Sequence, residues 1–88
     1  MNAEDYKNNI INQWISKDLD VYEDECTPFN EMWNAFNYWF EENYCQKCIN
    51  KMDIKYRLIE WQKNSQFNFT EKNGNERHPK FNLVPKPE

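Results

Sequence analysis

The segment Thr27-Pro28-Phe29-Asn30-Glu31-Met32-Trp33-Asn34-Ala35-Phe36-Asn37-Tyr38-Trp39-Phe40-Glu41-Glu42-Asn43-Tyr44 decides how this chain folds. Phe29, Met32, Trp33, Phe36, Trp39, Phe40 and Tyr44 recur at i, i+3, i+4 and i+7, which gathers them on one side of a helix. At its start, Thr27 is a residue type that caps orphan amides, and Pro28 suits a first helical position, where its missing N–H costs nothing. The spacing predicts a helix over 28–44 carrying the heaviest aromatic stripe of the chain, and so the centre of the core. Loss of the Trp39 ring is expected to cost about 3–5 kcal/mol if that ring is buried.

Working outward, Tyr6, Ile10, Ile11, Trp14, Ile15 and Leu19 keep helical spacing and predict a first helix over 4–19, with Asn8, Asn12, Lys17 and Asp18 on its other side. The acidic run 20–26 breaks the period and reads as a loop. After Cys45-Gln46-Lys47-Cys48-Ile49, a third helix is predicted from Asn50, because Asn50 and Asp53 resemble a capping box with a shortened acid. Its inward residues are expected to be Met52, Ile54, Leu58, Ile59 and Trp61, leaving Lys51, Lys55, Gln62 and Arg57 outward. Beyond Gln66 the period becomes alternating: Phe67-Asn68-Phe69 and Phe81-Asn82-Leu83 read as two strands, and Asn73-Gly74 between them is a hairpin-turn signal. The stretch 85–88, Pro-Lys-Pro-Glu, extends neither helix nor sheet and is expected to fray.

The expectation is one small α+β domain over 1–84. Its 88 residues leave room for a single core, and an aromatic fraction of 17% separates it from disordered chains. No apolar run approaches the ~18 residues of a membrane span, and the acidic, polar start 2–5 is unlike a signal peptide, so a soluble intracellular protein without membrane contact is expected. With Gly74 the only glycine and His78 the only histidine, a Gly-rich phosphate loop and a His-based triad lack their parts. No cofactor and no enzymatic activity are expected. The fourteen asparagines are many for this length, but Asn has AT-rich codons, and composition alone assigns them no chemistry.

Charge is unevenly spread. Residues 1–46 hold two lysines against ten carboxylates, whereas 47–88 hold nine basic residues against five acidic ones. Such a chain can turn a basic face to nucleic acid with its acidic side away, or its halves can simply attract each other within the fold.

Three helices followed by a β-hairpin is the order of a winged-helix domain, whose third helix can enter the major groove while the wing reaches the backbone or minor groove. The residues Ile10-Ile11-x-x-Trp14-Ile15, then Met32-Trp33-x-x-Phe36-x-x-Trp39-Phe40-Glu41-Glu42-Asn43, carry a more specific resemblance. They resemble the C-terminal helical module of the helicase-primases of phages, plasmids and large DNA viruses of the poxvirus and mimivirus kind. The likeness covers about residues 4–63 in detail and 67–84 as an expected hairpin. The chain departs from those enzymes in having no Walker lysine motif and no primase acidic constellation, so helicase and primase chemistry are not implied. What the resemblance implies is an accessory DNA-binding winged-helix module of a replication protein, with DNA and the rest of a helicase-primase as partners.

On that reading Lys51 and Lys55, one turn apart, are candidates for phosphate contact and Gln62 for polar contact. Lys72, Arg77 and Lys80, with His78, are the candidates at the wing. A solvated charged face is the ordinary alternative for each group. A different class of function is a protein-interaction module in which the acidic first half, including Glu23-Asp24-Glu25, docks a basic surface of a replication factor. Cys45-x-x-Cys48 with Cys26 and His78 supplies enough ligands for zinc, yet the spacing matches no standard finger, and reduced thiols are expected. Trp14, Trp33, Trp39 and Trp61 all sit in helical stripes, so they are read as core residues rather than base-stacking platforms.

Overall fold

The computed structural model describes residues 2–44 and 48–87. Helix α1 spans Ala3–Asp18 and starts where the Asn2 side chain accepts a hydrogen bond from the Asp5 amide at 2.8 Å. It buries Ile10, Ile11, Trp14 and Ile15, the stripe read from the sequence. Helix α2 spans Phe29–Asn43, and α3 spans Lys51–Asn64. The box at the start of α3 is reciprocal: Asn50 Oδ1 accepts from the Asp53 amide at 2.9 Å, and the Asp53 carboxylate accepts from the Asn50 amide at 3.0 Å.

The start of α2 differs from the expected one. Pro28 is the cap rather than the first helical residue, and it has no side chain to offer the orphan amides. Instead the Phe29 amide donates to the Pro79 carbonyl at 3.0 Å, so a distant segment satisfies what Thr27 was expected to satisfy. Thr27 is buried in a strand.

That strand belongs to the main correction. Phe67-Asn68-Phe69 forms no strand, and the expected hairpin with Phe81-Asn82-Leu83 is not made. Asn68 sits at φ 55°, outside the extended region, which breaks the alternation of the first triplet. The Asn73-Gly74 pair is not a two-residue hairpin turn either. Glu71–Asn73 is a 3-10 turn, and Gly74 follows at φ 70°, where an added Cβ would meet the His78 carbonyl oxygen at 2.7 Å. Only a single bridge, Gly74 to Pro79, pairs this segment with itself.

The C-terminal segment pairs with the chain between α1 and α2. Strand β1 (Leu19–Val21) lies antiparallel to β4 (Leu83–Pro85), with Leu19 opposite Pro85 and Val21 opposite Leu83. Strand β2 (Thr27–Pro28) lies antiparallel to β3 (Lys80–Phe81). Residues 80–85 thus clasp both ends of the acidic loop 22–26. Pro85 is part of β4, and the Lys86 amide donates to the Asp18 carbonyl at 2.9 Å, so the tail is held further along than expected.

Phe36, fully buried, is the centre of the core. Its ring meets Trp14 edge-on at 5.1 Å and lies against Phe40 at 5.3 Å, Trp39 at 5.8 Å and Trp33 at 6.2 Å. Trp33, Trp39 and Trp61 pack against this core while only partly buried. Ile54 and Leu58 of α3, with Phe81 and Leu83, are fully buried and close it from the other side. Met52, expected inward, is 48% exposed.

A buried polar network sits beside this core. Asn82, between the inward Phe81 and Leu83, donates from its amide to Gln62 Oε1 at 2.9 Å and from Nδ2 to the Tyr22 and Glu23 carbonyls at 2.9 and 3.2 Å. Its Oδ1 accepts from Gln62 Nε2 at 2.8 Å and from Asn73 Nδ2 at 3.1 Å. Asn73 also donates to the Lys80 carbonyl at 2.8 Å and accepts from the Thr70 amide and hydroxyl. Three amide side chains therefore join α3, the acidic loop, the 3-10 turn and β3. Among the described residues no helix is long and apolar enough to cross a membrane.

Candidate nucleic-acid interface

Where α2 begins, α3 begins and the chain enters β3, a groove of about 400 Å³ opens. Its walls come from Pro28, Phe29 and Asn30, from Lys51, Met52 and Lys55, and from residues 77–80. Helical spacing places Lys51 and Lys55 one turn apart, and both ammonium groups lie over the Phe29 ring, at 5.9 and 5.6 Å from its centre. The ring is buried and presents its negative face to the pair. This holds two like charges side by side without a carboxylate between them.

The opposite wall is held by backbone contacts. Lys55 Nζ donates to the Arg77 carbonyl at 3.0 Å. Asn75 Oδ1 accepts from the Arg77 and His78 amides, each at 2.9 Å, which turns the chain so that it runs into Pro79 and then β3. Lys80 is exposed and pairs with Pro28 across the small sheet. Four of the six expected contact residues, Lys51, Lys55, Arg77 and Lys80, therefore line one groove, although they come from segments more than twenty residues apart.

Among the described residues no carboxylate lines this groove. Elsewhere four cations are engaged: Lys7 with Asp53 at 3.3 Å, Arg57 with Glu60 at 3.3 Å and with Asn12, Lys86 with Asp20 at 4.0 Å, and Lys63 with Glu76. Among the described residues none of the four groove cations is ion-paired. The pairing of Glu76 with Lys63 matters here, because Glu76 stands next to Arg77 in sequence and would otherwise offset it.

Two expected contact residues are elsewhere. Gln62 is completely buried, with both ends of its amide in the network around Asn82 and Nε2 also donating to the Asn68 carbonyl at 2.7 Å. The outward reading of Gln62 is corrected: it follows Leu58 by one turn and shares its inward face. Lys72 lines a separate depression with Glu23, Phe67, Thr70, Glu71 and Asn82. Phe29 was read only as a core residue, and its part in seating the lysines was missed. Its position directly after Pro28, where the stripe meets the helix end, was the available signal.

Among the described residues no three His, Cys, Asp or Glu side chains are grouped to hold a metal ion, while Cys45 of the Cys45/Cys48 pair lies outside those residues. Cys26 and Cys48 are free and partly buried. Burial pushes the Cys26 thiol above its ordinary value, with Lys72 and Lys80 pulling the other way. Glu23, Asp24 and Glu25 are exposed on the clasped loop.

No protein-family model, curated protein or solved structure matches the chain.

Proposed function

We propose that this chain is a non-catalytic DNA-binding module of the winged-helix type, working as an accessory part of a replication protein of the helicase-primase kind. The observation that carries the reading is the convergence of Lys51, Lys55, Arg77 and Lys80 on one groove that no carboxylate among the described residues lines. A row of unpaired cations spanning two walls is what a phosphate backbone requires, and such contacts position a protein on DNA without reading sequence. The fold reading is supported by element order: three helices, with two short strands between the first two, the first of them paired antiparallel with the last strand. In this reading residues 65–79 stand where a wing would be, as an irregular loop rather than a hairpin.

The test is fluorescence anisotropy with labelled duplex, forked and single-stranded DNA across a salt series. Four phosphate contacts give a slope of log affinity against log salt of about −3 to −4. Lys51→Glu/Lys55→Glu and Arg77→Glu/Lys80→Glu should each lower affinity and flatten that slope by about two. Lys17→Glu, on the last turn of α1 and outside the groove, is the control for net charge alone. Absence of binding to all three DNAs at low salt would overturn the reading and favour a basic protein partner for Glu23-Asp24-Glu25.

A further inference from the structure

A second groove, of about 310 Å³, runs where the later half of α2 faces the end of α1 and β4. Its floor is apolar, made by Ala35, Trp39, Trp14 and Pro85. Trp39 is only partly buried, and Phe36 at 5.8 Å and Tyr44 at 5.7 Å hold its ring in place from behind. The rim is acidic. Asp18 ends α1, Glu42 stands in the last turn of α2, and among the described residues neither carboxylate is ion-paired. Lys86 also borders the groove, but its ammonium group is directed to Asp20, which does not line it. Helix α2 has three carboxylates and no lysine or arginine, and its last turn carries acidic residues where the helix dipole favours cations.

We infer that this groove docks a short basic segment of a partner protein, which seats one large apolar side chain on Ala35 and Trp39 and brings a lysine or arginine to Asp18 and Glu42. Charge complementarity selects that occupant: the rim carboxylates and the negative end of α2 repel an acidic or phosphate-bearing ligand and attract a cation, and a cation there also gains from the indole face. The apolar floor requires more than charge, so a purely basic tail fills only half of the site. The volume suits one side chain rather than a whole helix, since it lies at the lower end of ligand pockets, about 300–1,000 Å³. Binding is therefore of the weak, transient kind that small interfaces give. The basic groove begins at Phe29 and this one centres on Trp39, ten residues on, so the two lie about 15 Å apart along α2 and do not share a lining residue. The inference stands apart from the DNA-binding reading, and differs from docking through the exposed loop Glu23-Asp24-Glu25, which lines no part of this groove.

The experiment selects random short peptides displayed on phage against the full chain, then measures the enriched sequences as labelled synthetic peptides by fluorescence anisotropy. Enriched peptides should pair a large apolar residue with a nearby lysine or arginine. Asp18→Asn/Glu42→Gln, which removes charge at nearly constant shape, should weaken their binding about tenfold, and Ala35→Leu, which fills the floor, should weaken it at least as much. Glu23→Gln/Asp24→Asn removes the same charge from the acidic loop and should leave binding within twofold, as should Lys51→Glu/Lys55→Glu. Far-ultraviolet circular dichroism checks that each variant folds, and the charge-removing pair keeps the test valid if Ala35→Leu does not. No enrichment, or enriched peptides that are acidic and lost in Lys51→Glu/Lys55→Glu, would overturn the inference. Loss in Glu23→Gln/Asp24→Asn but not in Asp18→Asn/Glu42→Gln would overturn it in favour of the acidic loop. A dimer in sedimentation velocity that Ala35→Leu dissociates would overturn it in favour of a second copy of the chain. DNA binding by the same variants is measured separately, so failure of either reading leaves the other standing.

Discussion

Phe36→Ala is expected to lower the unfolding free energy by about 3–5 kcal/mol, measured by urea denaturation followed through tryptophan fluorescence. Phe36 is fully buried and its ring touches four other aromatic rings, from α1 and α2, so truncation leaves a void that none of them can fill without moving. Domains of this kind have a total stability of about 5–15 kcal/mol, so the variant should be largely unfolded at moderate urea. Trp39→Ala should cost less, about 1–2 kcal/mol, because the partly exposed ring gives up less buried surface. The reverse order, with Trp39 the costlier loss and Phe36 near 0.5 kcal/mol, would mean that α2 is rotated about its axis relative to the packing described.

The second large effect is expected at Asn82. Replacing it by leucine keeps the volume roughly constant but removes the acceptor of two buried amide groups and the donor to the Tyr22 and Glu23 carbonyls. Leaving buried polar atoms without partners costs about 1–3 kcal/mol each, and Gln62 and Asn73 keep other partners, so a net loss of about 3–4 kcal/mol is expected. Adding Gln62→Leu to Asn82→Leu should cost clearly less than the sum of the two single losses, since both act on one network. Additive losses in urea titrations would show that the two amides do not depend on each other. Hydrogen exchange supplies a second readout: in Asn82→Leu, amides of residues 20–26 should exchange faster, because Asn82 anchors that loop to β4.

The helices were legible because each carries a complete local signal. The stripes Ile10-Ile11-Trp14-Ile15 and Met32-Phe36-Phe40 have enough periods to fix the inward face, and the Asn50/Asp53 box is a four-residue pattern that the structure repeats atom for atom. The strands were not legible, since each has only two or three residues and its partner lies far away in sequence. Phe67-Asn68-Phe69 and Phe81-Asn82-Leu83 have the same pattern, yet Phe81 and Leu83 become fully buried beside strands from the α1–α2 connection and Phe67 and Phe69 do not.

The site was partly legible for the same reason. Lys51 and Lys55 follow from helical spacing, and Arg77 and Lys80 from their position beyond α3, but their meeting at Phe29 depends on the long-range contact of Pro79 with the start of α2. Gln62 and Met52 were misplaced because a glutamine on an inward face looks polar and a methionine on an outward face looks apolar. The role of the asparagines was invisible in composition, and two of them, Asn73 and Asn82, form the network.

The placement of Asn73 before Gly74 gives the molecule a way to age. In a flexible chain the glycine amide nitrogen attacks the asparagine Cγ, ammonia leaves, and water opens the resulting succinimide to aspartate or isoaspartate. In the folded protein the Gly74 amide is donated to the Glu71 carbonyl at 3.1 Å, and the Asn73 side chain is tied at both ends, so the attacking and attacked atoms are held to other partners. Protein kept native should therefore hold its mass on prolonged warm incubation at mildly alkaline pH, whereas protein held in urea should show the amide-to-acid mass change at Asn73 by peptide mapping. Equal rates in the two states would show that the turn opens freely. A carboxylate at 73 would face the Lys80 carbonyl and Asn82 Oδ1, two acceptors with no proton to share, so a molecule that lingers unfolded loses its way back. Time spent unfolded is then written into the chain as a permanent charge, and unfolding that begins as reversible becomes irreversible by the clock.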